Sequence, residues 1–507
     1  RQGDWAYGEL AGLAQRLDCP APEPRSLLEA QRPLSRFEAA ELLQACLAAG
    51  AGAGEAVQRL QRELAPELAR LAGRLDALEA RIGELQASRF VTTSVLKADS
   101  RWWLGAVRYS GNQINRAANT YDGRPLRDGF NFVYEVRLNF NTSFDGRDLL
   151  RVRVRAGDGG YSGFRSSLAP TLQVIGVYPA SCETGGRCRN NRLMLNKLYY
   201  QRPIGDRLHL SFGSSVSQKD MLGVWPSVFG HSEALLSTFD KAGAVGAYSD
   251  VKGAGIGLFW KQRSGAGISP GLVLSGVYVA GDGSEGNPDE GGLGAPVSRG
   301  SGTVQIGYVG SGWAVAAVFT RNQAGALDAD SMTPLARQAW PKLRPGLDGH
   351  VDAWGLSGFW QPLRRGWIPA INLGWGFNRN VYDQSGPDAA SPLLAARSQS
   401  WMVGLNWFDA FDSDSEVGFA IGSPLALSAY TNPAGEQGVA DQALMMELWY
   451  KYQATDWLTI TPGVFWLPRP RGQLTASGSS WDSTPLPLGQ GAGFSAFGVL
   501  VKLRFRF

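Results

Sequence analysis

The chain has 507 residues, enough for several soluble domains or for one large barrel with an appendage. Its 49 basic and 45 acidic residues leave a formal net charge of +4, too balanced to indicate a nucleic-acid partner. No apolar run reaches the ~20 residues that a membrane-spanning helix requires. High glycine (65) and tryptophan (17) contents instead suit an all-β protein with many turns. The slightly negative mean hydropathy does not exclude a membrane barrel, because half of each barrel strand faces water. The chain opens at Arg1 in what reads as a folded domain, and is taken as a mature, processed form.

Residues 1–50 read as a small helical domain. "DWAYGELAGLAQRL" places Trp5, Leu10, Leu13 and Leu17 at helical spacing. "CPAPEPRS" breaks that pattern, and "LSRFEAAELLQACL" begins a second helix. Ser35 with Glu38 three residues later forms a capping box at its start. "AAGAGAG" then reads as a flexible linker.

Residues 51–88 change character. Leu68, Leu71, Leu75, Leu78, Ile82 and Leu85 alternate spacings of three and four, the a/d seam of a coiled coil. Val57, Leu60 and Leu64 are offset from that seam, with Pro66 between the two stretches. The seam favours self-association over packing on a single core, whose apolar stripe would be wider.

The four cysteines are Cys19, Cys46, Cys182 and Cys188. Cys182 and Cys188 stand near the ends of the short loop "SCETGGRCRNN", and Cys19 and Cys46 flank the helical domain. Disulfides are the favoured reading, which implies an oxidising compartment. Metal binding is the rival, but it lacks a CxxC spacing or a nearby histidine, and no metal or cofactor is expected.

From residue 89 to 507 alternating segments replace the helical period. "FVYEVRLNF" sets Phe132, Tyr134, Val136, Leu138 and Phe140 against Glu135, Arg137 and Asn139. "LRVRVRAGD" sets Leu150, Val152 and Val154 against Arg151, Arg153 and Arg155. The final "GVLVKLRFRF" sets Val499, Val501, Leu503 and Phe505 against Lys502, Arg504 and Arg506. At about 10 residues per strand with unequal turns, this region predicts about sixteen antiparallel strands. Several strands carry Trp at both ends of one apolar face: Trp354 with Trp360, Trp367 with Trp375, Trp401 with Trp407. Such pairs lie roughly 15–20 Å apart along a tilted barrel axis, near the height of an apolar band edged by aromatic girdles. The predicted fold is therefore mainly β, a transmembrane barrel behind a small helical domain and a coiled-coil helix.

The order of these parts resembles the cyanobacterial outer-membrane porins that join an SLH domain and a coiled coil to an OprB-like barrel. The motifs carrying the resemblance are "NFVYEVRLNFNTSFDGRDLLRVRVRAGD", "LNKLYYQRPIGDRL", "LWYKYQATDWLTITPGVFW" and the closing strand. "DWAYGELAGLAQRLDC" and "LSRFEAAELLQACL" look like the two halves of an SLH module, with Ser35–Glu38 where that module has Thr-Arg-x-Glu. The module's Gly-Tyr-x-Asp-Gly-Thr-Phe-like loop is replaced by "PAPEPRSLLEAQRP". The resemblance implies a passive outer-membrane channel, a homotrimer, and a periplasmic domain holding peptidoglycan or its attached polymers. It also implies that Phe507 is the assembly signal. Trp5 and Arg36 are the candidate wall-binding residues, with core packing and an internal ion pair as their plainer roles. Arg137, Arg151, Arg153, Arg155, Lys502, Arg504 and Arg506 are expected to line the pore. "KDMLGVWPSVFGHSEALLSTFDKAG" is the candidate constricting loop, whose carboxylates would balance them. A structural tether and a carbohydrate-selective channel are the alternatives. His209, His231 and His350 are scattered and no GxSxG elbow occurs, so no enzyme is expected.

Overall fold

A computed structural model describes residues 5–17, 35–48, 54–69, 71, 92–110, 129–165, 172–177, 181–182, 188–229, 233–262, 270–326, 331–341, 349–362, 366–382, 395–412, 414–431, 441–472 and 495–507. The chain divides into two compact units, Arg1–Val91 and Thr92–Phe507.

The first unit is helical, with helices at Trp5–Leu17, Arg36–Ala48 and Glu55–Glu63. Ser35 N donates to Glu38 Oε2 (2.8 Å) and Glu38 N donates to Ser35 Oγ (3.2 Å), which satisfies two backbone donors at the second helix's start. Leu10, Leu13, Leu42, Leu43, Val57 and Leu60 form one buried core. The row offset from the heptad seam is thus an internal core row. Leu64 extends it, and Leu68 and Leu71 pack against the same core. The first two residues of the expected seam therefore have an intramolecular partner, continuing the core row of Val57, Leu60 and Leu64. Leu75, Leu78, Ile82 and Leu85 lie outside the described residues. Cys46 is disulfide-bonded; Cys19 also lies outside the described residues.

The second unit is a closed antiparallel barrel of 16 strands. Its strands are β1 (Thr93–Ser110), β2 (Phe130–Ser143), β3 (Leu149–Gly157), β6 (Met194–Ile204), β7 (Leu208–Ser217), β8 (Lys252–Lys261), β9 (Gly271–Ala280) and β10 (Gly300–Gly310). It continues through β11 (Trp313–Gln323), β12 (Gly349–Trp360), β13 (Ala370–Tyr382), β14 (Ala395–Phe408), β15 (Glu416–Thr431), β16 (Met445–Thr455), β17 (Leu458–Leu467) and β18 (Ser495–Arg506). Two short strands, β4 (Ser181–Cys182) and β5 (Cys188–Arg189), form a separate ladder in which Cys182 stands directly opposite Cys188. β18 pairs with β1 from Asp99↔Arg506 to Ser110↔Ser495 and closes the barrel. The last residue continues that seam: Ala98 N donates to Phe507 O (2.7 Å) and Phe507 N to Ala98 O (3.1 Å).

The two ends of the barrel differ. At the end where β1 begins and β18 stops, strands are joined by short turns such as 144–148, 205–207, 311–312 and 456–457. At the other end the connections are long: 111–129, 158–193, 218–251, 281–299, 324–348 and 468–494.

Alternation assigns the faces. Phe132, Ile256, Val304, Leu356, Leu373 and Val499 point outward and are exposed, as are Trp354, Trp360, Trp367 and Trp375. A soluble sheet would bury such a continuous apolar wall; a lipid bilayer solvates it. Among the described residues no helix is long and apolar enough to cross a membrane. Crossing by strands is what a closed barrel permits, because closure leaves no backbone edge unpaired in lipid.

Candidate functional site

The candidate site is the barrel interior, narrowed by residues 218–229 and 233–250. This inward loop leaves β7 through a capped turn of helix, Gln218–Met221, and runs along the inner wall. Ala242, Ala244, Val245 and Ala247 are all buried there. Small residues allow this close approach. A Cβ on Gly374 of β13 would stand 1.8 Å from Ala242 O, so the wall must be bare at that point.

A buried segment without secondary structure must still satisfy its backbone polar groups. The wall supplies the partners. Val228 N and Phe229 N donate to Asn372 Oδ1 (2.8 and 3.0 Å). Leu236 N donates to Glu447 Oε2 (2.7 Å), and Leu235 N to Glu447 Oε1 (3.1 Å). Val245 N donates to Ser400 Oγ (3.0 Å). Ser357 Oγ, Thr320 Oγ1 and Asn322 Nδ2 donate to the carbonyls of Ala242, Ala247 and Gly246 (2.7, 2.6 and 2.8 Å). Polar side chains on the inner faces of β11–β14 and β16 are thus engaged by loop backbone.

A second segment also folds inward. Phe164, Leu172, Val174 and Val177 are buried with Trp103 and Val107 of β1 and with Leu235 and Leu236. Val174 and Leu236 form an antiparallel bridge; Ile175 N donates to Leu235 O (2.8 Å) and Ser237 N to Gln173 O (2.9 Å). The constriction is therefore a two-loop structure, which the alternation pattern could not reveal.

The ionic groups divide into paired and unpaired sets. Lys502 Nζ lies 2.7 Å from Glu233 Oε2, with Arg504 at 3.4 Å and Arg506 at 3.8 Å from Glu233 Oε1. Arg101 and Arg504 each contact Asp99 Oδ2 at 2.8 Å. Glu135 holds Arg137 (2.7 Å) and Arg155 (3.6 Å), which stand directly opposite each other across β2 and β3. Lys197 is paired with Asp220 of the inward loop.

Arg151 and Arg153 differ from these. Arg151 donates to Asn141 Oδ1 (2.8 Å) and Tyr199 OH (3.1 Å); Arg153 donates to Asn139 Oδ1 (2.6 Å). All three partners are neutral, so both charges remain uncompensated by a bonded carboxylate. Arg153 also faces Lys197 directly across β3 and β6. The pore-lining set of the sequence reading thus splits. Lys502, Arg504, Arg506, Arg137 and Arg155 are tied to carboxylates, whereas Arg151 and Arg153 are not. Asp99, Arg101, Lys197 and Glu447 were missed, although the first two alternate legibly in "KADSRWW". Glu233 and Asp220 lie in the candidate loop.

The wall-binding candidates have internal partners. Arg36 Nε lies 2.7 Å from Glu67 Oε1, and that bond, together with the carboxylate's charge, raises the guanidinium's pKa. Trp5 packs against the helical core, with the Arg59 guanidinium 4.0 Å from its ring centroid.

Residues 359–484 match the OprB family, described as carbohydrate-selective porins. Over that stretch the barrel is similar to the OprB-family porins. An uncharacterized protein of Nostoc sp. is 27% identical over 498 residues, covering 92% of this chain and 80% of the relative. One of Synechocystis sp. is 24% identical over 510 residues, covering 92% and 84%. The high-pH structure of Pseudomonas putida OprB superposes with a TM-score of 0.45 at 12% identity, covering 82% of this chain and 94% of that chain. This similarity and the lipid-facing wall support an outer-membrane channel.

Proposed function

We propose that this porin is a passive diffusion channel for inorganic ions and small solutes in which anions are favoured. The observation that carries the reading is the β3 wall, where Arg151 and Arg153 are bonded only to neutral side chains. An uncompensated positive wall lowers the barrier for anions and raises it for cations. The family's carbohydrate label receives less support. The Asn, Ser and Thr side chains that would bind sugar hydroxyls on β11–β14 are occupied by the inward loop's backbone.

A planar-bilayer reversal potential across a salt gradient, with liposome swelling in sugars of graded size, tests this. Cation preference would sink the basic-lumen reading. Fast sugar entry with poor ion passage would favour the carbohydrate reading.

The helical unit is proposed to be periplasmic and to bind peptidoglycan or its attached polymers. The chain enters β1 at the short-turn end, and short turns mark the periplasmic side of such barrels. The seam residues beyond Leu71 are proposed to join three protomers, and Phe507 to serve as the assembly signal. Removing residues 1–91 should abolish peptidoglycan co-sedimentation and leave conductance intact. Loss of both would reject the modular arrangement.

A further inference from the structure

On the outside of the barrel one register line crosses four adjacent strands. Arg321 of β11 stands opposite Asp352 of β12, Asp352 opposite Arg379 of β13, and Arg379 opposite Arg397 of β14. All four share the outward parity of Phe319, Trp354 and Phe377. They lie two or three residues from the strand ends that carry the long loops.

Arg321 closes on Asp352 with two bonds, Nε to Oδ1 at 2.7 Å and Nη2 to Oδ2 at 3.0 Å. That pairing uses the row's one carboxylate. Arg379 and Arg397 are exposed, face each other directly, and have no ion pair among the described residues. Like charges directly opposite on a sheet are destabilising, and the cost is relieved by an anion between them. Arginine's planar fork suits phosphate in particular.

Below this row lies the chemistry of an acyl region. Phe319, Trp354 and Phe377 stand two residues deeper, with ring centroids 5.5 and 5.8 Å apart. Trp354 at their centre is of the type enriched where headgroups meet acyl chains. Deeper still, on the same four strands, an apolar cleft of about 810 Å³ is lined by Trp313, Leu356, Trp360, Leu373, Trp375 and Trp401. Gly358 falls between Leu356 and Trp360 on the outward face and opens the cleft. From Arg379 to Trp375 is four residues, roughly 13 Å along the strand and about 10 Å along a tilted axis. One leaflet's hydrocarbon is about 15 Å deep. A headgroup at the arginines therefore places its chains in the cleft.

We propose that this face binds a phosphate-bearing lipid of the leaflet at the long-loop end, its phosphate between Arg379 and Arg397 and an acyl chain in the cleft. The proposal rests on the barrel's lying in the outer membrane, and is independent of which solutes pass through it. Two arginines at a membrane surface give an affinity gain of about tenfold or more.

The test uses the full-length protein in detergent, with native mass spectrometry counting bound lipid A. A neutral lipid of the same chain length and inorganic phosphate are the comparison probes. The double variant Arg379→Gln/Arg397→Gln should bind lipid A at least tenfold less, with unchanged conductance and unchanged heat-modifiable gel mobility. Arg202→Gln, on an exposed arginine near a short turn, should bind as the parent does. Equal lipid A binding by the double variant would overturn the proposal. So would an equal loss of the neutral lipid, displacement of lipid A by inorganic phosphate alone, or a cross-link showing a second copy of the chain seated on this face.

Discussion

Glu233 and Lys502 meet at 2.7 Å with both side chains only 3% exposed, and this contact ties the inward loop to the strand that closes the barrel. Lys502 Nζ also donates to the carbonyl of Glu233 (3.3 Å), and Thr461 Oγ1 donates to its carboxylate (3.1 Å). The loop is therefore fastened to β17 and β18 by a charged residue with several bonded partners. Its position is fixed by the same charges that would otherwise line the wall.

Glu233→Gln should loosen that attachment and leave Lys502, Arg504 and Arg506 without their shared carboxylate. Breaking a buried pair by removing one partner costs about 3–5 kcal/mol. The expected result is a lower melting temperature, noisier single-channel current and a reversal potential shifted further toward anions. A variant with parental current noise and selectivity would show that the loop is held by its backbone bonds to Asn372 and Glu447 alone.

Strand faces were legible because alternation has a period of two: in β18, Val499 is 48% exposed and Lys502 is 3% exposed. The partners of the inward charges were not legible. Glu233 lies 269 residues before Lys502, and nothing local marks the pairing. A segment rich in Gly, Ala and Ser reads equally as a surface loop or as one that packs against a bare wall. The choice depends on Gly374, in a strand more than a hundred residues away. The packing of Leu68 and Leu71 on the helical core was not legible either, because a spacing of three and four describes an internal core row as well as an intermolecular seam.

Arg151→Gln with Arg153→Gln should reduce anion preference severalfold, since these two charges have neutral bonded partners. Arg137→Gln should do less to selectivity and more to stability, because it strips Glu135 of its nearest cation. Reversal potentials and thermal melts of the two variants separate the roles. Equal selectivity changes in both would mean that the paired and unpaired arginines act as one field.

The bridge between Val174 and Leu236 joins two inward segments, and deleting residues 162–177 should widen the lumen. Larger sugars should then enter liposomes at rates that the parent channel reserves for small ones. Unchanged size exclusion would place the narrowest point in residues 218–250 alone.

The turn at 144–148 supplies a pH-dependent contribution. Burial alone would raise the Asp148 pKa, but bonds from Ser143 Oγ, Tyr200 OH and the backbone N–H groups of Asp145 and Phe144 hold it well below the usual carboxylate range. A depressed folded-state pKa contributes stability that is present above the unfolded value of about 4 and is lost as pH falls through the folded one. Asp148→Asn should therefore melt below the parent at pH 7. Acidification below about pH 4 should weaken the parent but leave the variant's turn unaffected, so the two melting curves should converge. A gap that stays constant down to pH 2 would mean that the turn's contribution comes from shape rather than from the carboxylate's charge.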